Sequence, residues 1–255
     1  MVFYANDQLE KVVKGRYKEE YIILEETTEH PDLLIAKNRL SYDVEVEKAA
    51  KKLGLNLQNN SQGYIGEINY KQSLDINTEL GNFTLNPKLF TEFLKLLKSG
   101  RALEGKGTQV NSSELENILN EIIEVRGPYR AEWLDHKYSS QSKGLFKGKE
   151  MCVTYHKFDS SGNLVEFTEP LDEDTLMKNK IPGISLDDWV NHPTSQGLPI
   201  KTVKEGDLYF WKPIEGRVTG LIAGAGWAGL VCVGDASNSN ANLGVRSTKI
   251  LGGKP

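Results

Sequence analysis

The stretch RVTGLIAGAGWAGLVCVG, residues 217–234, decides how this chain is read. Gly224, Gly226 and Gly229 fit G-x-G-x-x-G, and the run before them could be a strand. That pattern cradles a dinucleotide only when a helix follows, with a second parallel strand and an acidic residue about 20 positions on. Here LVCVGDASNSNANLGVR follows, a poor helix of valines, glycines and asparagines, and the residue at the acidic position is Lys249. The glycines are therefore read as something other than a nucleotide loop, and no cofactor is expected.

Extended chain alternates its faces. One parity holds Ile222, Ala228, Leu230 and Cys232; the other holds Leu221, Ala223, Ala225, Gly229, Val231 and Val233. The second set has little packing logic and low strand propensity. Further on, Asn238, Asn240 and Asn242 again stand two apart. A face that ignores strand propensity suggests residues chosen for another purpose.

The surroundings are those of an ordinary globular chain. Its 255 residues can bury a sizeable core, and charged residues make up 26%. A net charge of −4 gives no reason to expect nucleic-acid binding. No apolar run approaches the roughly 20 residues that span a bilayer, so no membrane insertion is expected. The first residues lack the basic and apolar regions of a signal peptide. Cys152 and Cys232 sit in apolar runs and read as buried thiols rather than a bridge, and no CxxC pair suggests a metal.

Along the chain, YIILEE (21–26) reads as a strand and VEVEKAAKKLG (44–54) as a helix closed by Gly54. NNSQGYIGEINYKQS (59–73) reads as a loop entering a short strand. NPKLFTEFLKLLKSG (86–100) is a helix with Asn86 as N-cap and Pro87 in its first turn. SSELENILNEIIEVRG (112–127) is a second, with Ser113 and Glu116 as a capping box. After Pro128 the chain turns to strands, including a hairpin around Asp159–Asn163, with one short helix after Ser185. In LYFW, alternation puts Leu208 and Phe210 on one face, Tyr209 and Trp211 on the other, one pair being buried. A boundary near Arg126 divides a mixed α/β supporting region, 1–126, from a strand-rich domain, 127–255.

The pattern over about 217–250 resembles the variable region of diversity-generating retroelement target proteins, particularly archaeal ones. In that family a reverse transcriptase miscopies template adenines, and Asn codons are the usual targets. Their products include Leu, Ala, Gly, Val, Asp, Ser and Asn but not Trp. The resemblance implies diversified, ligand-binding positions at Leu221, Ala223, Gly224, Ala225, Gly229, Val231, Val233, Gly234, Asn238, Asn240 and Asn242. It implies fixed positions at Ile222, Trp227, Ala228, Leu230, Cys232, Leu243, Gly244, Val245 and Arg246. It also implies an α+β class with a C-type-lectin-like C-terminal domain. Diversity is tolerable only where side chains face solvent, since buried volume changes cost a few kcal/mol. Replacing Val231 or Val233 by Ser should then be nearly silent, and Leu230→Ala should not.

Catalysis finds less support. Asp135, His136, His156, Ser160 and Ser195 are the conceivable acid, base and nucleophile groups. Neighbours on a strand face oppositely, so Asp135 cannot orient His136. The carboxylates of DEDTL (172–176) and SLDDW (185–189) read as helix N-terminal charges. The expectation is a non-enzymatic display protein with no metal. Its partner would be a protein or surface ligand, and its setting a virion or cell surface. The alternative is an attachment or structural protein of the same setting without diversification.

Overall fold

A computed structural model describes residues 19–142 and 149–251. The elements are β1 (Tyr21–Leu24), β2 (Leu33–Ala36), α1 (Val44–Leu53), α2 (Tyr70–Glu79), α3 (Pro87–Lys98), β3 (Leu103–Glu104), α4 (Ser112–Ile123), β4 (Arg130–Ser142), β5 (Lys149–Phe158), β6 (Leu164–Pro170), β7 (Lys180–Ile184), α5 (Leu186–Asn191), β8 (Leu208–Trp211), β9 (Val218–Ala223), β10 (Ala228–Gly234), β11 (Leu243–Gly244) and β12 (Thr248–Ile250). The class is α+β. A four-stranded sheet runs β12-β2-β1-β3. A mixed eight-stranded sheet runs β6-β5-β4-β9-β10-β8-β7, with β11 added beside β4.

Between the sheets lies α3. Asn86 caps it, its side chain accepting from the Leu89 N–H, and Pro87 occupies the first turn, where a missing N–H costs nothing. Leu89, Phe90, Phe93, Leu94 and Leu97 are all buried. They join Ile22, Leu33 and Ile35 of the small sheet to Tyr138, Phe210, Leu221 and Leu230 of the large one in a single core. The change of architecture near Arg126 is thus bridged by shared packing. Arg130 spans it too, donating to the Glu121 and Glu124 carbonyls at the end of α4, where free carbonyls attract a cation.

Buried Arg246 fastens β2 to the large sheet. Its guanidinium donates to both Glu132 oxygens at 3.0 and 3.2 Å and to the carbonyls of Ala36 and Lys37. Neither side chain of the pair is more than 4% exposed.

Three local expectations are corrected. Residues 70–79 form α2 rather than a strand. Its capping box is Asn69 with Gln72, each side chain accepting from the other's backbone N–H. The N-cap of α4 is Asn111, which accepts from Glu114, so Ser113 and Glu116 form no capping box. No helix follows Asp172; its carboxylate instead accepts from the Ser195 hydroxyl and N–H.

The alternation expected around the glycine run is also corrected. In the β9–β10 hairpin Ala223 pairs Ala228 and Leu221 pairs Leu230. Directly paired residues share a face, so odd numbers on β9 go with even numbers on β10, and the turn at 224–227 reverses the parity. Leu221 and Ala223 consequently lie in the core with Ala228, Leu230 and Cys232. Ile222 faces the other way with Trp133 and Val218. Leu230→Ala is expected to cost about 2–5 kcal/mol. Val233→Ser, at a half-buried position, should stay within about 0.5 kcal/mol, and Val231→Ser should fall between, since Val231 is only 8% exposed. Denaturant melts of the three variants check the order.

Candidate functional site

The face of the large sheet turned away from α3 carries two transverse rows. Tyr209, Gly229, Ile222 and Ala131 are successive partners across β8, β10, β9 and β4. Trp211, Val231, Gly220 and Trp133 form the next row. Both rows begin with an aromatic ring on β8, the second also ends with one on β4, and each holds a glycine between. Towards β4 the face is covered: Tyr70 of α2 meets Trp133 edge-on, and Ala236 and Leu243 pack beside them. Towards β8 it is open. Trp227, from the hairpin turn, lies parallel to Tyr209 at 5.9 Å and meets Trp211 at 4.6 Å. All three rings are half-buried, while the Leu208 and Phe210 side chains between them are in the core, as the LYFW alternation requires.

Two glycines let neighbouring groups close in. A Cβ on Gly229 would lie 2.9 Å from the Tyr209 Cβ and closer still to the Tyr209 carbonyl. One on Gly234 would meet the Val218 carbonyl at 2.9 Å and the Trp133 ring at 3.0 Å. Glycine in a strand marks such close approaches, of backbone at Gly229 and of a ring at Gly234. The run GAGWAG is thus a hairpin turn leading into a strand that lies close against β8. Gly224 closes the turn, its N–H donating to the Trp227 carbonyl.

From β10 the chain crosses this face as residues 235–242 and joins β11. The spaced polar side chains shape the crossing. The Asp235 carboxylate accepts from the Ser237 N–H, the Asn238 side chain from Asn240, and the Asn240 side chain from Asn242. Each is a side-chain turn closed two residues on, which is what Asx residues do in loops. The crossing is also tied to the N-terminal half. The Tyr64 hydroxyl donates to the Asn242 carbonyl, the Asn60 amide to Ala241, and the Glu67 N–H to Asn240.

The structure therefore sorts the candidate diversified positions. Ala225, Asn238 and Asn240 are exposed; Val233, Gly234 and Asn242 are half-buried. Leu221, Ala223, Gly224, Gly229 and Val231 are buried, contrary to the solvent-facing placement expected of them. Gly229 and Gly234 are in addition closed by backbone atoms. Of the fixed positions, Ala228, Leu230, Cys232, Leu243, Gly244, Val245 and Arg246 are buried, and Ile222 and Trp227 half-buried.

The residues weighed for catalysis separate. Asp135 and His136, in the irregular stretch of β4 between Leu134 and Lys137, meet different partners, as neighbours on a strand do. Asp135 holds His156 instead: Nδ1 lies 2.9 Å from Oδ2, the His156 N–H donates to the same oxygen, and the Tyr70 hydroxyl donates to Oδ1. The hydrogen bond to Asp135 raises the His156 pKa despite partial burial. His136 is wholly buried beside Tyr155 and Tyr138, and burial pulls its pKa down to about 3. Ser195 is bound to Asp172 rather than to a histidine. Cys152 and Cys232 are free and buried, and burial pushes the Cys232 thiol up to about 12. Among the described residues no cluster of His, Cys, Asp and Glu could hold a metal, and no helix is long and apolar enough to cross a membrane.

The aromatic trio was half legible: Tyr209 and Trp211 follow from alternation, but nothing in the sequence brings Trp227 onto them. No family model matches this chain, no curated protein matches it in sequence, and no solved structure matches its fold.

Proposed function

We propose that this protein is a ligand-binding display protein whose recognition surface is the open outer face of β8–β10 with the crossing at 235–242. We further propose that the C-terminal region is C-type-lectin-like and that a retroelement diversifies the exposed positions Ala225, Asn238 and Asn240, with Val233 and Asn242 at the margin. The observation that carries the reading is the half-exposed trio Tyr209, Trp211 and Trp227, whose rings meet one another, with the exposed candidate Ala225 in the turn beside it. On this reading the rigid aromatics supply contact area and the asparagines of the crossing supply adaptable hydrogen bonding, the division of labour found in an antibody paratope. Val231 leaves the diversified set on this reading, as do Leu221, Ala223, Gly224, Gly229 and Gly234.

A second reading, attachment without diversification, gains from the burial of so many candidate positions. One observation separates the two. A diversified gene is accompanied by a near-copy of the segment coding for about 217–250, differing only at adenines, and by a reverse transcriptase gene. Their absence from the flanking DNA would leave the attachment reading. Binding itself is tested with a library randomised at Ala225, Asn238, Asn240 and Asn242 and selected against unrelated purified proteins. Selected binders are expected to lose about tenfold or more in affinity on Trp211→Ala or Trp227→Ala. Binders indifferent to both changes would remove the aromatic face from the site.

A further inference from the structure

A cleft of about 600 Å³ lies away from the outer face. The loop joining β1 to β2 forms one wall, the first turn of α3 a second, and the β5–β6 hairpin a third. His30 sits in the loop wall with its side chain 1% exposed. Its Nδ1 is 2.8 Å from the Pro31 carbonyl oxygen and its Nε2 is 2.9 Å from Glu92 Oε2 on α3. A carbonyl oxygen can only accept, and so can an ionised carboxylate. With Glu92 ionised, both ring nitrogens must donate, which only the imidazolium can do.

We propose that His30 is a proton-operated latch: the charged ring fastens the loop at 25–32 to α3 and so sets the mouth of the cleft, and loss of the proton frees the loop. A neutral ring has one N–H for two acceptors, so one lone pair would face another at under 3 Å. The loop's neighbouring ion pair, Lys88 with Glu29, is long at 3.7 Å, and Glu29 is 63% exposed, so it holds little by itself.

The surrounding charges favour the proton. On α3, Glu92 faces the ring directly, and Lys88 lies 3.3 Å from the other Glu92 oxygen. On the loop itself stand Glu26 and Glu29. Across the cleft are Lys157, Asp159, Glu169 and the phenol of Tyr155. Lys157 and Glu169 are engaged with each other at 3.1 Å, and the Tyr155 hydroxyl donates to Glu169. Burial works against the charged ring, but the bonds to Glu92 and the Pro31 carbonyl outweigh it and the His30 pKa is raised. Burial likewise opposes ionisation of Glu92, and His30 and Lys88 more than compensate, so its pKa is lowered. A raised imidazole pKa gives stability that is complete below the unfolded value of about 6.5 and is lost as pH rises through the folded value. The latch is therefore closed where His30 is charged and Glu92 ionised, and it opens as pH rises through the raised folded value.

The test is side-chain ¹⁵N NMR on the full chain between about pH 5 and pH 9, with His30→Gln used to assign the resonances. Both His30 nitrogens are expected to carry protons below the unfolded imidazole value of about 6.5, and Glu92→Gln should lower the proton affinity of His30 at least tenfold. Amide exchange at Thr27, whose N–H donates to the His30 carbonyl, should accelerate beyond its intrinsic pH dependence as His30 titrates. A single ring N–H at about pH 6, below the unfolded imidazole value, would overturn the proposal. So would Thr27 protection that does not follow the titration.

Discussion

Gly229→Ala is expected to destabilise the protein by about 3 kcal/mol or more, a large loss for a single methyl group. The added carbon would press on the Tyr209 carbonyl and lie 2.9 Å from the Tyr209 Cβ. Gly229 and Tyr209 are paired in the middle of a sheet, with β9 on one side and β7 on the other, so neither strand can step aside. A flexible side chain could rotate away from such a contact; a hydrogen-bonded carbonyl cannot. Tryptophan emission should shift as well, because Tyr209 supports Trp227. Gly224→Ala is the control. Its added carbon would meet only the Tyr129 ring at an ordinary 3.6 Å, and little change is expected. Chemical denaturation of both variants checks the contrast. Equal effects would mean that the close approach of β8 and β10 does not constrain position 229.

Arg246→Leu is expected to cost about 3–5 kcal/mol, the range for breaking a buried ion pair from one side. The change leaves the Glu132 carboxylate almost fully buried without its cation, and the Ala36 and Lys37 carbonyls without their donor. The double variant Arg246→Leu with Glu132→Leu should recover a good part of the loss, because no unpaired charge then remains inside. A double-mutant cycle measures this. If the double variant were as unstable as the sum of the single ones, the loss would lie in the backbone contacts of Arg246 rather than in the stranded carboxylate.

Legibility from the sequence followed the strength of local signals. The helix at 87–98 announced itself through Asn86, Pro87 and a full apolar stripe, and α5 through Ser185. The helix at 70–79 did not. Its sequence, YKQSLDINTE, has little apolar periodicity, and the only cue was Asn69 three residues before Gln72. The strand LLIA at 33–36 is not legible, because four residues after Pro31 and Asp32 carry almost no pattern. The faces at 221–233 are not legible for a geometric reason: strand parity cannot be carried through a turn of unknown length. The asparagines at 238, 240 and 242 are ambiguous in sequence, since spacing by two is also what a chain of side-chain turns demands. The latch at His30 was not legible at all, because its meaning lies in Glu92, which only the packing of α3 brings to it.

The pairing of Thr248 with Ile35 has a bearing on the order of folding. The small sheet takes its outer strand from residues roughly 200 positions further along the chain than β2, so a long loop must be closed before that contact gives anything back. Until it closes, the β2 edge is bare and open to a wrong partner.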